Sequence, residues 1–188
     1  HLVFINPLAG PPEHPLAEID ADHLGVPGIR GQRQSRSDAE ATVAEIERRG
    51  VSAIALQADL SEPGDIADLL RAVKERYGRL DVLVNSAATF RPAKFGSVTV
   101  EEWDRVMAVN LRAPFLLLQG ASELLAASAR ARSVPALAVN IADLSGVLAW
   151  RGFAPHAVSK AGLLHLTRVA ARELAPHVRV NAIVPGAI

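Results

Sequence analysis

Apolar runs alternate with amphipathic segments along the chain from about residue 37 to residue 188. A short apolar run that ends in a polar or small residue is typical of a buried strand. The runs of this kind are VSAIALQAD, LDVLVNSAA, ALAVNIAD and VRVNAIVPG. Because the segments between them have helical periodicity, we predict an α/β fold with a doubly wound parallel sheet and helices on both of its faces.

Capping signals bound two predicted helices in the first half of this region. Ser37 and Glu40 form a capping box at the start of the first helix, and Gly50 suits its C-terminal end. Ser61 is a candidate N-cap of the second helix, which Gly78 ends. The pattern therefore predicts helices over about 37–49 and 63–77.

A third helix is predicted from about Glu101, and it contains Pro114. Because proline has no N–H, the carbonyl of Asn110 loses its helical partner and a kink is expected. The freed carbonyl could hold an ordered water near a site, although a plain kink between two apolar pieces fits the spacing better. A further helix runs from Pro155 to about Leu174, and its proline suits the first helical turn.

Residues 1–36 do not follow this pattern. Leu2 to Ile5 favour a strand, and a short helix is predicted over 15–25. The segment NPLAGPPEHP carries one glycine and four prolines. A loop that binds a pyrophosphate needs glycines and free backbone N–H groups, so this segment does not fit one. We expect a single domain over 1–188 with an irregular stretch over 1–36.

The composition is that of a soluble globular protein, with 49% hydrophobic and 21% charged residues. Twenty basic residues balance twenty acidic ones, so the net charge does not indicate binding to nucleic acid or to a membrane surface. No apolar run approaches the ~20 residues of a membrane span, and there is no cysteine. The six histidines show no metal-ligand spacing. We therefore expect a cytoplasmic protein with no metal, no membrane and no nucleic-acid partner.

The most informative stretch runs from Ala136 to Lys160. It combines a buried strand, a loop of small residues and the first turn of a helix. His156 and Lys160 are four residues apart, so both lie on one helix face. If the loop folds back, Asp143 joins them and completes a candidate proton-transfer site. The same residues also fit a solvated helix start with an incidental aspartate, and the spacing alone does not decide between the two.

Polar or small residues stand at the carboxyl ends of the four predicted strands. They are Asp59, Asn85 with Ser86 and Ala87, Asp143, and Pro185 with Gly186. In open parallel sheets, ligands bind in the crevice beyond these ends. Strand exits favour turn-forming residues in general, which explains each position singly. The set as a whole favours a cofactor crevice.

Five motifs in this order carry a family resemblance. They are VNSAA at 84–88, VNLRAPF at 109–115, NIAD at 140–143, HAVSKAGL at 156–163 and RVNAIVPG at 179–186. Together they resemble the short-chain dehydrogenase/reductase family, over about 37–188. The NIAD motif looks most like the pteridine-reductase branch, in which an aspartate replaces the more usual serine. The resemblance implies a Rossmann-like fold and NADPH-dependent reduction of a small carbonyl or pterin-like substrate, with NAD as the alternative cofactor.

The resemblance also implies roles for single residues. Asp59 would bind the adenine edge, Asn85 would lie against the adenosine ribose, and Arg33 would contact the 2′-phosphate of NADP. Asn110 would hold a relay water, Asp143 would orient the substrate or the acid, and Lys160 would bind the nicotinamide ribose. The implied cofactor-binding residues are Arg33, Asp59, Asn85, Ser86, Ala87, Lys160, Pro185 and Gly186. The implied catalytic residues are Asn110, Asp143, His156 and Lys160.

The chain departs from the family at three points. His156 stands where the family has its catalytic tyrosine, and the glycine-rich TGxxxGxG loop is absent. The family's substrate-binding segment and last strand would lie beyond Ile188. Lys160 and the helix N-terminus would lower the pKa of His156, whereas Asp143 would raise it, so we expect proton donation mainly on the acid side of neutrality.

Two hypotheses follow from these observations. The first is an NADP-dependent reductase of a small molecule. The second is an inactive scaffold or fragment that acts only through binding or oligomerisation. In the family, the helices that correspond to those near 101–126 and 155–174 build a dimer bundle, so the resemblance implies a homo-oligomer if the fold is intact.

Overall fold

The computed structural model describes residues 2–7 and 36–186, with side chains from residue 39 onward. The described chain divides into two compact units, one up to Asp59 and one from Leu60 onward. The predicted helix over 15–25 and Arg33 lie outside the described residues. The expectation of a single domain over 1–188 stays a prediction.

The described residues of the first unit form two parallel strands and one helix. β1 (Leu2–Pro7) pairs with β2 (Ala53–Ala58), and α1 (Arg36–Arg48) connects into β2. Gly50 follows α1 with a φ of 77°, a backbone conformation that glycine adopts without cost. The prediction that Ser37 caps α1 is wrong, because the backbone is already helical at Arg36.

The second unit is a three-stranded parallel sheet with its helices. Its strands lie in the order β3 (Val82–Asn85), β4 (Ala136–Ile141) and β5 (Val178–Ile183). Its helices are α2 (Pro63–Tyr77), α3 (Val100–Met107), α4 (Ala113–Arg132) and α5 (Ala154–Glu173). A helix lies between each pair of consecutive strands, as parallel pairing requires. The predicted α/β class with a Rossmann-like parallel sheet is confirmed.

The start of α2 differs from the prediction by one residue. Ser61 is not the N-cap, because Glu62 occupies that position in an extended conformation and makes no side-chain cap bond. The reason is Pro63, which begins the helix and disfavours a helical backbone in the residue before it. Gly78 closes α2 with a φ of 65° and donates its N–H to the carbonyl of Lys74, as expected.

The helix predicted from Glu101 is interrupted near its middle. Thr99 and Glu102 form a capping box before α3, a signal that the sequence analysis missed. A π turn over Ala108–Arg112 then separates α3 from α4, and Pro114 lies in the first turn of α4. The irregularity expected at Pro114 is therefore present as a π turn, a feature that is frequent at functional sites.

Small side chains let the helices of the second unit pack closely on its sheet. Ala136 and Ala138 on β4 are completely buried, as is Leu125 on α4. α4 packs on β4, while α5 packs on β5 and on the turn after β4. The sheet therefore presents the carboxyl end of β4 directly to the first turns of α5.

Candidate active site

A short turn after β4 positions Asp143. The turn is a 3₁₀ helix over Leu144–Gly146, and Asp143 Oδ1 accepts a hydrogen bond of 2.7 Å from the backbone N–H of Ser145. A Cβ on Gly146 would lie 2.8 Å from the backbone carbonyl carbon of Lys160. The turn therefore packs directly on the backbone of α5 and carries Asp143 to the start of that helix.

His156 lies in the first turn of α5 and is buried, with 4% of its surface exposed. Its Nδ1 atom is 3.1 Å from the carbonyl oxygen of Thr89 and 3.4 Å from Nδ2 of Asn110. Its Nε2 atom is 3.9 Å from Oδ1 of Asp143 and forms no hydrogen bond with any described residue. One ring nitrogen is thus held by the protein, whereas the other has no partner there.

Asn110 connects the π turn to both sides of this site and is fully buried. Its Oδ1 atom accepts the backbone N–H of Thr89 at 2.7 Å, and its Nδ2 atom donates to the carbonyl oxygen of Thr89 at 3.0 Å. Nδ2 also donates to Oγ of Ser159 at 3.0 Å. The π turn thus places an amide where it fixes the 89–90 segment against α5.

Lys160 lies one helical turn after His156, as the spacing predicts. The ammonium is almost completely buried, and Nζ donates a 2.7 Å hydrogen bond to the carbonyl oxygen of Ile141 at the end of β4. Burial lowers the pKa of Lys160, and the Asp143 carboxylate opposes that shift. The charge of Lys160 is therefore held beside the strand end and not on the surface of the helix.

The pKa of His156 is also lowered from its usual value, mainly because burial disfavours the imidazolium. The hydrogen bond to the Thr89 carbonyl raises that pKa, the Lys160 ammonium lowers it, and the Asp143 carboxylate raises it. Lys160 and Asp143 act on this pKa in the opposite directions expected from the sequence. Burial, which was not part of that expectation, is the largest cause of the downward shift.

Aromatic rings cover one side of His156. Phe90 stacks on Phe153 with ring centroids 4.6 Å apart, and the Phe90 ring meets the imidazole edge to face at 4.8 Å. Trp150 approaches Phe153 at 6.4 Å in the same manner. The imidazole therefore has an apolar neighbour, Phe90, on this side.

A ladder of amides joins the ends of two strands to α5. Asn85 donates from Nδ2 to Oδ1 of Asn140 at 2.8 Å, and Asn140 donates from Nδ2 to Oγ1 of Thr167 at 2.8 Å. The Oδ1 atom of Asn85 is buried and has no hydrogen-bond partner among the described residues. The ladder leaves an unused acceptor at the carboxyl end of β3.

The exits of β3 and β5 lie at the same sheet edge as the catalytic candidates. The carbonyl oxygen of Pro185 accepts the backbone N–H of Leu144 at 3.2 Å, and a Cβ on Gly186 would lie 3.8 Å from the Leu144 side chain. Ser86 is exposed and Ala87 is half-buried after β3. The exit of β5 therefore meets the turn that carries Asp143.

The structure brings four of the predicted residues into one cluster, namely Asn110, Asp143, His156 and Lys160. Asp59 belongs to the first unit, and Arg33 is not among the described residues, so their roles in binding the adenosine end stay predictions.

Within the described residues, no group of His, Asp and Glu could hold a metal ion, and no helix is long and apolar enough to cross a membrane.

Four residues that complete the network were not predicted from the sequence, namely Thr89, Asn140, Ser159 and Thr167. Ser159 precedes Lys160 within the HAVSKAGL motif, and Asn140 begins the NIAD motif, so the motifs contained a signal for these two. Thr89 acts mainly through its backbone, which no side-chain pattern reveals.

The fold and this cluster define a Rossmann-like protein with a buried proton-transfer group at the carboxyl edge of a parallel sheet. Residues 31–188 match the family model described as enoyl-(acyl carrier protein) reductase, a short-chain dehydrogenase/reductase group. This match spans most of the chain. The protein therefore belongs to the short-chain dehydrogenase/reductase family.

Curated relatives show a similar correspondence. The chain is 33% identical over 165 residues to a 3-oxoacyl-[acyl-carrier-protein] reductase of Synechocystis, covering 87% of this chain and 65% of the relative. It is 36% identical over 155 residues to the reductase FabG of Staphylococcus aureus, covering 82% and 61% of the two chains. The identity to 3beta-hydroxysteroid dehydrogenase 1 of Eggerthella lenta is 34%, with coverage of 92% and 66%. The chain thus spans about two thirds of the length of these relatives.

Solved structures give the same fold. A putative short-chain dehydrogenase/reductase from Burkholderia xenovorans superposes with a TM-score of 0.76 at 32% identity, covering 80% of this chain and 62% of the other. A blue fluorescent protein from a metagenomic library, solved in complex with NADPH, superposes with a TM-score of 0.71 at 33% identity, covering 82% and 61%.

Proposed function

We propose that this protein is an NADP-dependent oxidoreductase that interconverts a small carbonyl or pterin-like compound and its reduced form, with NAD as the alternative cofactor. The observation that carries the proposal is the cluster of Asn110, Asp143, His156 and Lys160 beside the end of β4. The named relatives, two reductases and a steroid dehydrogenase, support the same chemistry.

The residues at the sheet edge fit the two ribose groups of such a cofactor. The unused acceptor Oδ1 of Asn85 suits a hydroxyl of the adenosine ribose, because a buried acceptor without a partner is costly unless a ligand satisfies it. Lys160, Pro185 and Gly186 would hold the nicotinamide ribose and ring. Arg33, Asp59, Ser86 and Ala87 are proposed for the adenosine end. The bound cofactor supplies the hydride acceptor or donor, and the chain supplies the proton transfer.

His156 would exchange the proton with the substrate oxygen or nitrogen. General acid–base catalysis of this kind contributes about 10²–10⁴ in rate. Reduction requires the imidazolium form of His156. Burial and the Lys160 ammonium oppose the formation of this cation, whereas the Asp143 carboxylate favours it. We therefore expect reduction to be fastest on the acid side of neutrality, because the lowered pKa leaves His156 largely neutral above it.

Two substrate classes are supported by different observations. The 3-oxoacyl and hydroxysteroid substrates in the names of the relatives favour a carbonyl or hydroxyl compound. The aspartate of NIAD favours a pterin-like ring, and the apolar rings of Phe90 and Phe153 would suit a flat substrate. The carbonyl class is our first proposal, since the named relatives share it.

A fluorescence titration with NADPH tests the proposal. We expect saturable binding with a Kd below about 1 mM, because weaker binding would correspond to less than ~4 kcal/mol of interaction. The Lys160→Met variant should bind at least about tenfold more weakly, a loss of ~1.4 kcal/mol. Lys74→Met on the exposed face of α2 is the matched control and should bind like the unmodified chain. Absence of saturable binding would refute the enzyme proposal.

An inactive scaffold is the second candidate, and a histidine at the family's tyrosine position is the observation that favours it. Such a scaffold would act through its helices near 101–126 and 155–174. These helices expose large apolar side chains, namely Trp103, Phe115 and Val169. Light scattering should then show a homo-oligomer that Phe115→Asp dissociates, whether or not NADPH binds, and a monomer at all concentrations would exclude this candidate.

A further inference from the structure

We propose that His156 rests as the tautomer with its hydrogen on Nδ1, so that its bare Nε2 accepts the proton of a substrate hydroxyl. This inference rests on the proposed function and deepens it, because it identifies alcohol oxidation as the direction that the resting site can begin without first gaining a proton. The hydrogen bonds of Asn110 determine which groups near the imidazole can donate.

The amide of Asn110 has only one orientation that satisfies its neighbours. A backbone N–H is always a donor, so the atom that receives the Thr89 N–H at 2.7 Å must be the amide oxygen. The other atom is then the NH₂ group, which has two hydrogens. One hydrogen goes to the carbonyl oxygen of Thr89 at 3.0 Å and the other to Oγ of Ser159 at 3.0 Å. Neither remains for the imidazole.

Ser159 does not free a hydrogen of the amide. Its hydroxyl donates to the backbone carbonyl oxygen of His156 at 2.7 Å, so its oxygen is left as the acceptor for Asn110. The 3.4 Å approach of Asn110 Nδ2 to His156 Nδ1 is therefore a contact without a shared hydrogen. Nδ1 must find its hydrogen-bond partner elsewhere.

The carbonyl oxygen of Thr89, 3.1 Å from His156 Nδ1, is that partner. A carbonyl can only accept, so Nδ1 must carry the hydrogen. This oxygen has two lone pairs, which suffice for both Asn110 and His156. In the neutral ring, Nε2 consequently carries no hydrogen and is an acceptor.

Nε2 has no donor among the described residues. It is buried, and its distance of 3.9 Å to Oδ1 of Asp143 is too long for a hydrogen bond. That Oδ1 atom instead accepts the backbone N–H of Ser145 at 2.7 Å. A buried acceptor without a partner costs free energy, and a substrate hydroxyl would remove this cost.

The charges around the ring favour the neutral form. Lys160 from α5 lowers the pKa of His156 and Asp143 from the 3₁₀ turn raises it, and burial makes the net shift downward. The π turn and the 89–90 segment face the ring with neutral groups, Asn110 and the Thr89 carbonyl among them. The resting imidazole is therefore neutral at pH 7, with Nε2 unprotonated.

Alcohol oxidation at this site removes one proton and one hydride from the substrate. The O–H bond of the alcohol breaks and its proton passes to Nε2. The C–H bond at the carbinol carbon breaks and its electron pair leaves as hydride to an oxidised nicotinamide nucleotide. The C–O bond becomes a carbonyl, so the alcohol is oxidised by two electrons and the nicotinamide is reduced by two. The reverse reaction must begin from the imidazolium.

Nitrogen-15 NMR of the histidine-labelled chain tests the tautomer without any cofactor or substrate. Two-bond and three-bond couplings to the ring protons distinguish a protonated from a bare ring nitrogen. The His156 signals are assigned by their loss in His156→Gln and, independently, by nuclear Overhauser contacts to the Phe90 ring. At pH 7 we expect a protonated Nδ1 and a bare Nε2 in His156.

A protonated Nε2 at pH 7, alone or together with Nδ1, would overturn the inference. The exposed His165, on the same helix, serves as the internal control and should show the mixture of tautomers usual for a solvated imidazole. The result does not depend on NADPH binding. A chain that fails to bind NADPH but has the expected tautomer contradicts only the proposed function, and a chain that binds NADPH with a protonated Nε2 contradicts only this inference.

Discussion

Gly146 is the position at which one added methyl group should disturb both stability and the site. Its Cβ would meet three backbone atoms of α5, at 2.8 Å from Lys160 C, 2.9 Å from Ala161 N and 3.0 Å from Lys160 O. Carbon atoms in good contact are ~3.5–4.0 Å from their neighbours. Because these neighbours belong to a helix backbone, they cannot rotate away as a side chain would.

The Gly146→Ala variant should therefore have a lower free energy of unfolding. Overpacking of this kind typically costs about 1–3 kcal/mol, and we expect a value in the upper half of that range because all three contacts are to backbone. The alternative to the clash is a shift of the Leu144–Gly146 turn away from α5. That shift would move Asp143 away from His156 and weaken their interaction.

Urea denaturation at pH 7.5, followed by circular dichroism, measures this loss. Gly64→Ala on α2 is the matched control, since its Cβ would meet no atom within 4 Å. The control should gain about 0.5–1 kcal/mol from the better helix propensity of alanine. If Gly146→Ala unfolds within about 0.5 kcal/mol of the unmodified chain, the close packing of the turn on α5 is refuted.

Further predictions concern pH, the core and a helix cap. Because the pKa of His156 is lowered in the folded chain, the unfolded chain binds a proton more readily. The free energy of unfolding should therefore fall as the pH drops below the usual histidine pKa near 6.5. Urea titrations at pH 5 and 7.5 should show a smaller difference for His156→Gln. Leu125→Ala should cost about 2–5 kcal/mol in thermal or urea unfolding, whereas Leu148→Ala, at an exposed position, should stay within about 0.5 kcal/mol. Thr99→Ala should cost about 1 kcal/mol, because Thr99 caps α3 together with Glu102, and a wild-type urea midpoint would contradict it. With a 3-hydroxyacyl thioester as substrate, kcat/KM for oxidation should be constant between pH 7 and 8. With the corresponding 3-oxoacyl thioester, kcat/KM for reduction should fall about tenfold over the same range. A constant kcat/KM for reduction would contradict a neutral resting His156.

The local pattern was sufficient for the part of the site that lies within one element. The four-residue spacing of His156 and Lys160 placed both on one face of α5, and Pro155 marked the start of that helix within one residue. The apolar runs predicted the parallel strands, and their polar ends indicated the sheet edge. These features depend on helical and strand periodicity, which is visible in the spacing of apolar residues along the sequence.

The local sequence pattern could not predict the contacts that determine the tautomer of His156. Thr89 contributes a backbone carbonyl from 67 residues away, and Asn110 an amide from 46 residues away. Pro114 signalled an irregular helix, but the π turn that aims Asn110 at the site depends on how α3 and α4 pack. Hydrogen bonds between distant segments follow from the tertiary fold, so they could not be predicted from residues 156–160 alone.

If His156 faces the bound nicotinamide, as we propose, binding of the cofactor must perturb its imidazole, which NMR can follow. NADP⁺ is added to the chain labelled with nitrogen-15 in histidine, and each imidazole is followed to saturation. We predict that the His156 ring nitrogens shift along a saturable curve while those of the exposed His165 remain unchanged. Saturable NADP⁺ binding that leaves the His156 signals unmoved would contradict the claim.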